Sequence, residues 1–188
     1  MKSALILHGA GNNSQGNWFP WLKKELEKKG YKVWAPDLPN PDDLDMQRYL
    51  DFIFANKDFE FNSGTYLIGH SSGGVLIQGI LQNLSDNVVV DTAILVSTFE
   101  NYPDAPASER EYRKKLFLKP FDWEKIKKHA KRFIVIHSDN DPYVPEKGAR
   151  GIARKLDARF ILKPGQGHFN LEVGPQYKQF PFLLTLID

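Results

Sequence analysis

Cysteine is absent from this chain of 188 residues. Its absence excludes disulfide bonds, thiolate zinc sites and a cysteine nucleophile together. Long apolar runs are missing as well, since no stretch approaches the roughly 20 residues that a membrane span requires. An excess of either charge is also absent: 25 basic side chains face 23 acidic ones, and the basic ones are scattered. That balance argues against a nucleic-acid partner.

We expect no targeting segment at the amino terminus. The apolar stretch at residues 4–7 is too short for a signal-peptide core, and His8 and Gly9 stand where a cleavage region would be needed. A length of 188 residues with 41% hydrophobic content suits one buried core. We therefore expect a single domain over residues 1–188 that is cytoplasmic and makes no contact with a membrane.

Short apolar runs alternate with segments of helical period, a pattern typical of a parallel sheet with helices on both faces. The strands are predicted at residues 4–7, 31–35, 65–68, 93–96, 133–136 and 159–162. The helices are predicted at residues 21–29, 43–55, 73–84, 123–130, 146–156 and 175–187. Pro181 should kink or divide the last helix. Residues 98–121 lack a clear period and are expected to form a long loop.

A Gly-x-Ser-x-Gly pattern occupies residues 69–73, with Ser71 at its centre. It follows one predicted strand and opens the next predicted helix, which is the setting of a nucleophile elbow. Glycine is needed at the two flanking positions, because larger side chains there would collide with the sharp turn around a strained serine. Because the pattern alone is common, our interpretation rests on its position between a predicted strand and a predicted helix. We interpret Ser71 as the nucleophile.

Two backbone N–H groups are predicted to form an oxyanion hole. The helix after Ser71 directs its first N–H groups at the acyl oxygen, which makes the N–H of Ser72 one donor. The other is expected in the glycine-rich turn after the first strand, where we assign the N–H of Ala10. His8 precedes that turn and is interpreted as a structural hydrogen-bonding residue.

A carboxylate and a histidine are expected at the carboxyl ends of the last two strands, the edge at which open α/β sheets bind ligands. Asp141 is favoured over Asp139 as the carboxylate, because the prolines that follow can fix its backbone. His168 lies on a short glycine-rich loop after the last strand and is interpreted as the general base. The order Ser71, Asp141, His168 is the α/β-hydrolase order, and it differs from those of chymotrypsin and subtilisin.

These residues resemble a family of small single-domain α/β-hydrolases that includes retinoblastoma-binding protein nine and its bacterial relatives. The resemblance covers nearly the whole chain, and it is carried by the segments at 6–9, 17–22, 36–41, 69–73, 141–145 and 167–169. It implies a three-layer α/β-hydrolase fold, with a mostly parallel sheet of about six strands and no large lid domain. It also implies a catalytic triad at Ser71, Asp141 and His168 and hydrolysis of ester or related acyl bonds without a cofactor or metal. Ser72 after the nucleophile departs from a common elbow pattern and should be tolerated.

The leading hypothesis is a carboxylesterase-like serine hydrolase acting on a small-molecule acyl substrate. Aromatic side chains are the candidates for its substrate pocket: Trp18, Phe99, Tyr102, Phe117, Phe121 and Tyr143. A peptidase or amidase would use the same triad. A protein-binding module would instead depend on exposed aromatic side chains, for which Trp18, Phe19, Trp21 and residues 117–123 are the candidates. A protein partner is possible, but the sequence does not indicate one.

Overall fold

The computed structural model describes residues 1–100 and 107–187. Six strands form one sheet in which every neighbouring pair is parallel. The strands are β1 (Ser3–Leu7), β2 (Lys32–Trp34), β3 (Thr65–His70), β4 (Val90–Val96), β5 (Ala130–His137) and β6 (Arg159–Leu162). Their order in the sheet is β2-β1-β3-β4-β5-β6. Strands β1, β3 and β4 contain no exposed residue, as expected of strands that are covered on both faces of a parallel sheet.

Helices connect the strands. The α-helices are α1 (Phe19–Lys28), α2 (Met46–Ala55), α3 (Ser72–Asn83), α4 (Ala107–Arg113), α5 (Trp123–Lys128), α6 (Glu146–Lys155) and α7 (Pro181–Leu184). Two short 3₁₀ helices lie at Lys114–Leu116 and Pro175–Lys178. The expected α/β-hydrolase architecture is thus confirmed, with helices on both faces of the sheet.

The predicted elements differ from the observed ones mainly at their ends. The prediction of a loop over 98–121 was wrong, because α4 and a 3₁₀ helix lie within it. Strand β5 begins at Ala130, so the predicted helix at 123–130 ends earlier, at Lys128. The last helix is divided at Pro181, as expected from its missing N–H. Helix α2 starts only at Met46, because the Asp45 side chain accepts from the N–H of Arg48 and caps the helix there.

Two apolar layers lie on opposite faces of the sheet. One layer contains α2, α3, α5 and α6, and its centre is the row of α3 side chains Val75, Leu76, Ile77 and Ile80. The other contains α1 and the carboxyl-terminal helices, including Leu22, Leu26 and Leu183. Among residues 1–100 and 107–187, no helix has both the length and the apolar character to cross a membrane.

The strand order changes direction between β1 and β3. The chain leaves β1 toward one edge to form β2 and then returns to the other side of β1 to form β3. Such a switch point opens a crevice at the carboxyl ends of the two strands, where α/β folds bind their ligands. The turn after β1 carries Ala10, and the turn after β3 carries Ser71, so both predicted features lie at this crevice.

Candidate active site

Ser71 occupies the turn between β3 and α3 with φ 53° and ψ −122°. This backbone conformation is costly for a residue with a side chain, and it persists only where the surrounding structure enforces it. The Ser71 N–H donates to the carbonyl of Val96 at the end of β4 (2.9 Å), and the N–H of Gly74 donates to the Ser71 carbonyl (3.0 Å). The turn is therefore fixed at both sides of the serine.

Two glycines allow this turn to exist. A Cβ at Gly69 would lie 2.6 Å from the backbone of Gly73, and a Cβ at Gly73 would collide with the carbonyl oxygen of Leu7. Helix α3 thus begins in direct contact with the ends of β1 and β3. The structure confirms the predicted collision of side chains at these two flanking positions.

His168 and Asp141 form a hydrogen-bonded pair, with 2.8 Å between Nδ1 of the imidazole and Oδ2 of the carboxylate. The Asp141 side chain is fully buried and that of His168 is 7% exposed. The other oxygen of Asp141 accepts from the N–H groups of Tyr143 (2.9 Å) and Val144 (3.0 Å). Burial opposes ionisation of Asp141, but the hydrogen bond and charge of His168 and the Tyr143 N–H outweigh it and lower the pKa of the carboxyl. The carboxylate is therefore ionised at neutral pH.

The side chain of Asp139, the alternative carboxylate, contacts the backbone of the histidine loop. Its Oδ1 accepts from the N–H of Gly165 in the histidine loop (2.8 Å). Two neighbours add to this connection: Asn140 Oδ1 accepts from the N–H of Gly167 (2.8 Å), and Ser138 Oγ accepts from the N–H of Gln166 (2.9 Å). The loops after β5 and β6 are thus joined by three hydrogen bonds beside the His168–Asp141 pair.

The turn after β1 lies against Ser71, since a Cβ at Gly9 would be 2.9 Å from the Ser71 Cβ. His8 is 1% exposed and uses both ring nitrogens. Its Nε2 accepts from the N–H of Leu38 (2.9 Å), so Nδ1 carries the proton and donates to the Gly9 carbonyl (2.8 Å). Burial lowers the pKa of His8, which keeps this neutral tautomer. The histidine is a structural hydrogen-bonding residue.

Because His8 holds the carbonyl of Gly9, the orientation of the next N–H, that of Ala10, is fixed as well. In a trans peptide the carbonyl of Gly9 and the N–H of Ala10 point in opposite directions. Within residues 1–100 and 107–187, no backbone acceptor is paired with the N–H of Ala10, and the first N–H of α3, at Ser72, has none either. Their role as oxyanion donors stays a prediction.

Two ring N–H groups hold the backbone of the histidine loop. His70 Nε2 lies 2.7 Å from the carbonyl oxygen of His168, and Trp18 Nε1 donates to the carbonyl of Phe169 (3.0 Å). Burial, helped by the nearby His168, lowers the pKa of His70 to about 3, so its ring is neutral and Nε2 carries the donated proton. Phe169 has φ 53° and is fully buried. Together these contacts hold the backbone that carries His168 in one conformation.

The aromatic pocket candidates have several environments. Trp18 is fully buried among Phe19, His70 and Phe180, so its predicted place in an open pocket is wrong, because its ring belongs to the core. Phe99 is 2% exposed and packs on Phe117, with the Arg113 guanidinium 4.4 Å above its ring. Its side chain is likewise covered.

The remaining candidates are more open. Phe117 and Phe121 are half-buried, with ring centroids 6.0 Å apart. Tyr143 is 51% exposed and its ring centroid is 5.1 Å from that of His168. Tyr102 lies outside the described residues. Of the five candidates that the structure describes, Tyr143 is the one placed directly beside the His168–Asp141 pair.

Sequence reasoning missed the supporting roles of His70, Trp18 and Asn140. A periodicity argument gives no sign that a buried ring N–H holds a particular carbonyl. The polar residues packed around Asp141 were a usable signal, because Asn and Ser side chains in a loop often pair with nearby backbone groups. No cluster of three or more His, Cys, Asp or Glu side chains suited to a metal ion occurs in the described part of the chain.

The family model described as serine hydrolase matches residues 4–188, and this chain belongs to the serine hydrolase family. It is 31% identical to the Bacillus subtilis protein YdeN over 168 residues, which is 89% of this chain and 86% of that protein. It is 29% identical to serine hydrolase RBBP9 of Rattus norvegicus over 163 residues, 86% of this chain and 83% of that one. The crystal structure of the B. subtilis ydeN gene product superposes with a TM-score of 0.88 at 28% identity, covering 99% of this chain and 96% of that one.

Proposed function

We propose that this serine hydrolase cleaves a small ester or related acyl bond through an acyl-enzyme at Ser71. The observation that carries the proposal is the buried Nδ1···Oδ2 pair of 2.8 Å between His168 and Asp141. It lies at the same edge of the sheet as a serine held in strained backbone. A base oriented by a carboxylate beside a serine at a sharp turn is the arrangement that acyl transfer requires.

In the first half-reaction the Ser71 Oγ attacks the acyl carbon while His168 Nε2 takes its proton. The carbonyl oxygen becomes an oxyanion, which accepts hydrogen bonds from the N–H groups of Ala10 and Ser72. The bond to the leaving group then breaks as His168 returns the proton to it. Asp141 remains ionised throughout and stabilises the imidazolium.

In the second half-reaction His168 removes a proton from water, and the hydroxyl attacks the acyl carbon of the ester on Ser71. The same oxyanion donors act again, and the proton returns to the Ser71 Oγ as the acid leaves. Ester bond and water are consumed, acid and alcohol are released, and the chain is restored. Nothing in this sequence of steps requires a cofactor.

A binding module without activity would need exposed aromatic side chains, and two of its four candidate regions do not supply them. Trp18 is fully buried and Phe19 is 1% exposed. A binding module also has no use for a buried carboxylate that orients a histidine. A peptidase or amidase shares every residue of the proposed mechanism and differs in the leaving group alone.

Hydrolysis of p-nitrophenyl acetate by the wild type and by Ser71→Ala tests the proposal. We expect the variant to keep the fold, because it loses one hydroxyl at a turn, and to lose turnover by about 10⁴-fold or more. Circular dichroism and thermal unfolding serve as controls for the fold. A folded variant that retains more than about a tenth of the wild-type kcat/KM would show that Ser71 is not the nucleophile. Matched anilide substrates in the same assay measure the amidase alternative.

A further inference from the structure

The chain that follows Phe169 borders the candidate active site on the His168 side. The N–H of Leu171 donates to Asn17 Oδ1 in the loop after β1 (3.1 Å). The next side chain, Glu172, accepts through Oε2 from the Tyr143 hydroxyl in the loop after β5 (2.7 Å). Val173 lies against Gly167, since a Cβ there would be 2.6 Å from the Val173 Cγ2. This segment therefore connects the loops that carry the oxyanion turn and Asp141.

Apolar side chains are exposed along this border. Tyr143 is 51% exposed, Leu171 41% and Val173 39%, and they are three of the six large hydrophobic side chains that are exposed in the described part of the chain. A gathering of exposed apolar side chains beside a reactive group indicates a binding surface. We call these three residues together with Glu172 the histidine-side rim.

The rim has one charged group. The Glu172 carboxylate accepts from Tyr143 and also from Asn170 Nδ2 (3.1 Å), and these hydrogen bonds lower its pKa. Its charge is held in place without a balancing cation, since no lysine or arginine of the described ranges makes an ion pair with it. The rim therefore presents an oriented negative charge among apolar side chains, one of which is an aromatic ring.

The position of the rim relates it to one part of the substrate. The imidazole must hand its proton to the departing alcohol or amine, so the leaving group lies on the histidine side of the acyl carbon. Tyr143 contacts that imidazole directly, with 5.1 Å between ring centroids. The rim can therefore touch the leaving group.

We propose that the histidine-side rim is a leaving-group subsite that selects alcohols bearing a positive charge on an apolar body, such as a quaternary ammonium. The selection rests on the proposed serine hydrolase activity. A carboxylate attracts the cation, and an aromatic face adds a cation–π contribution of the kind that binds quaternary ammonium groups. Leu171 and Val173 supply apolar surface for the methyl groups of such a cation.

Two acetate esters with leaving groups of matched shape test the selection: acetylcholine and 3,3-dimethylbutyl acetate, whose leaving group is its neutral isostere. We expect kcat/KM for the cationic ester to be higher by about fivefold, equal to about 1 kcal/mol at 1.4 kcal/mol per tenfold. The ratio should fall in Glu172→Gln, which keeps an oxygen to accept from Tyr143, because only the cation–π contribution of the ring then remains. It should also shrink as sodium chloride is raised, because the pair is exposed.

Glu60→Gln is the matched control. It removes the same charge from an exposed side chain in the loop before β3, at the opposite edge of the sheet, and should leave the ratio unchanged. A wild-type ratio of one or less would overturn the proposal. An elevated ratio that Glu172→Gln leaves intact would overturn it equally, since the selection would then come from elsewhere.

Binding measured without turnover separates this proposal from the proposed function. Choline and 3,3-dimethylbutanol are titrated by NMR into the wild type, Ser71→Ala and Glu172→Gln. We expect choline to bind more tightly than the neutral alcohol in the first two proteins and to lose most of this advantage in the third. If both esters are inert and Ser71 is unreactive, the proposed function fails. In that case the subsite is judged by choline binding alone, and it fails if choline shows no advantage that depends on Glu172.

Discussion

The two carboxylate oxygens of Asp141 have separate tasks. Oδ1 receives the N–H groups of Tyr143 and Val144, and Oδ2 receives His168. The first pair fixes the carboxylate, so the second contact can fix the imidazole. Asp139, two residues earlier, holds the backbone of the histidine loop at Gly165 instead. We therefore expect substitutions of the two aspartates to reduce activity to different extents.

Asp141→Asn should reduce kcat by about 10²- to 10⁴-fold, because an amide cannot balance the imidazolium and favours the wrong histidine tautomer. Asp139→Asn should cost less than about tenfold, since the amide oxygen can still accept from the Gly165 N–H. Steady-state kinetics of the two variants on one ester give the comparison. Equal losses, or a larger loss at Asp139, would contradict the assignment of Asp141.

Trp18→Phe tests the support of the histidine loop. The change keeps an aromatic ring in the core but removes the N–H that pairs with the Phe169 carbonyl. A buried carbonyl left without a partner costs about 1–3 kcal/mol, and urea unfolding should show a loss of that size. Trp21→Phe, at a half-buried ring in the first turn of α1, is the control and should change stability by less. An equal loss in both would show that ring volume, and not the hydrogen bond, matters.

Among the elements, β1, β3 and α3 could be predicted well, and so could the place of Ser71 between them. The glycines at 69 and 73 and the apolar runs beside them carry that information locally. Helix α4 could not, because its sequence of alanine, serine, one tyrosine and charged residues has no apolar period. The early start of β5 was missed for a related reason: Lys131 and Arg132 are exposed, so the strand begins without an apolar pattern. Tertiary pairing with β4 extends it.

The segment from α4 to Phe121 predicts the acyl preference. Phe99 is covered by Arg113 and Phe117, and Leu116 is 1% exposed. The apolar side chains of the segment therefore pack on one another and leave little apolar surface for an acyl chain. Each methylene gains about 0.8 kcal/mol, or about fourfold, only while apolar surface receives it. We expect kcat/KM on p-nitrophenyl esters to rise over the shortest acyl chains and then level off. A steady increase out to long chains, or a jump above the substrate's solubility limit, would show a larger or more mobile pocket.

Across the whole molecule, three buried histidines make stability depend on pH. Burial lowers the pKa of His8, of His137 and of His70, the last to about 3. In the unfolded chain these side chains titrate near about 6.5, so below that pH the unfolded state binds more protons. The free energy of unfolding should therefore fall as the pH drops from about 6.5, by up to about 1.4 kcal/mol per pH unit for each histidine.

Urea unfolding between about pH 7.5 and about pH 5 measures this dependence. His137→Gln removes one titrating group away from the His70–His168 contact, and it should reduce the slope by roughly the contribution of one proton. Carboxylates such as Asp141 contribute in the same direction, but at lower pH, because their unfolded pKa is about 3.9. Stability that is constant over this range would contradict the buried, neutral state of the three rings.

Covalent labelling measures directly whether Ser71 is an activated nucleophile. A fluorophosphonate reacts with a serine whose proton a neighbouring base removes, and it leaves an adduct of known mass. The wild type should gain one adduct, which peptide mapping places on Ser71, and His168→Ala should label far more slowly because the base is gone. A wild-type protein that remains unlabelled, or an adduct on any serine other than Ser71, would show that Ser71 is not the activated nucleophile.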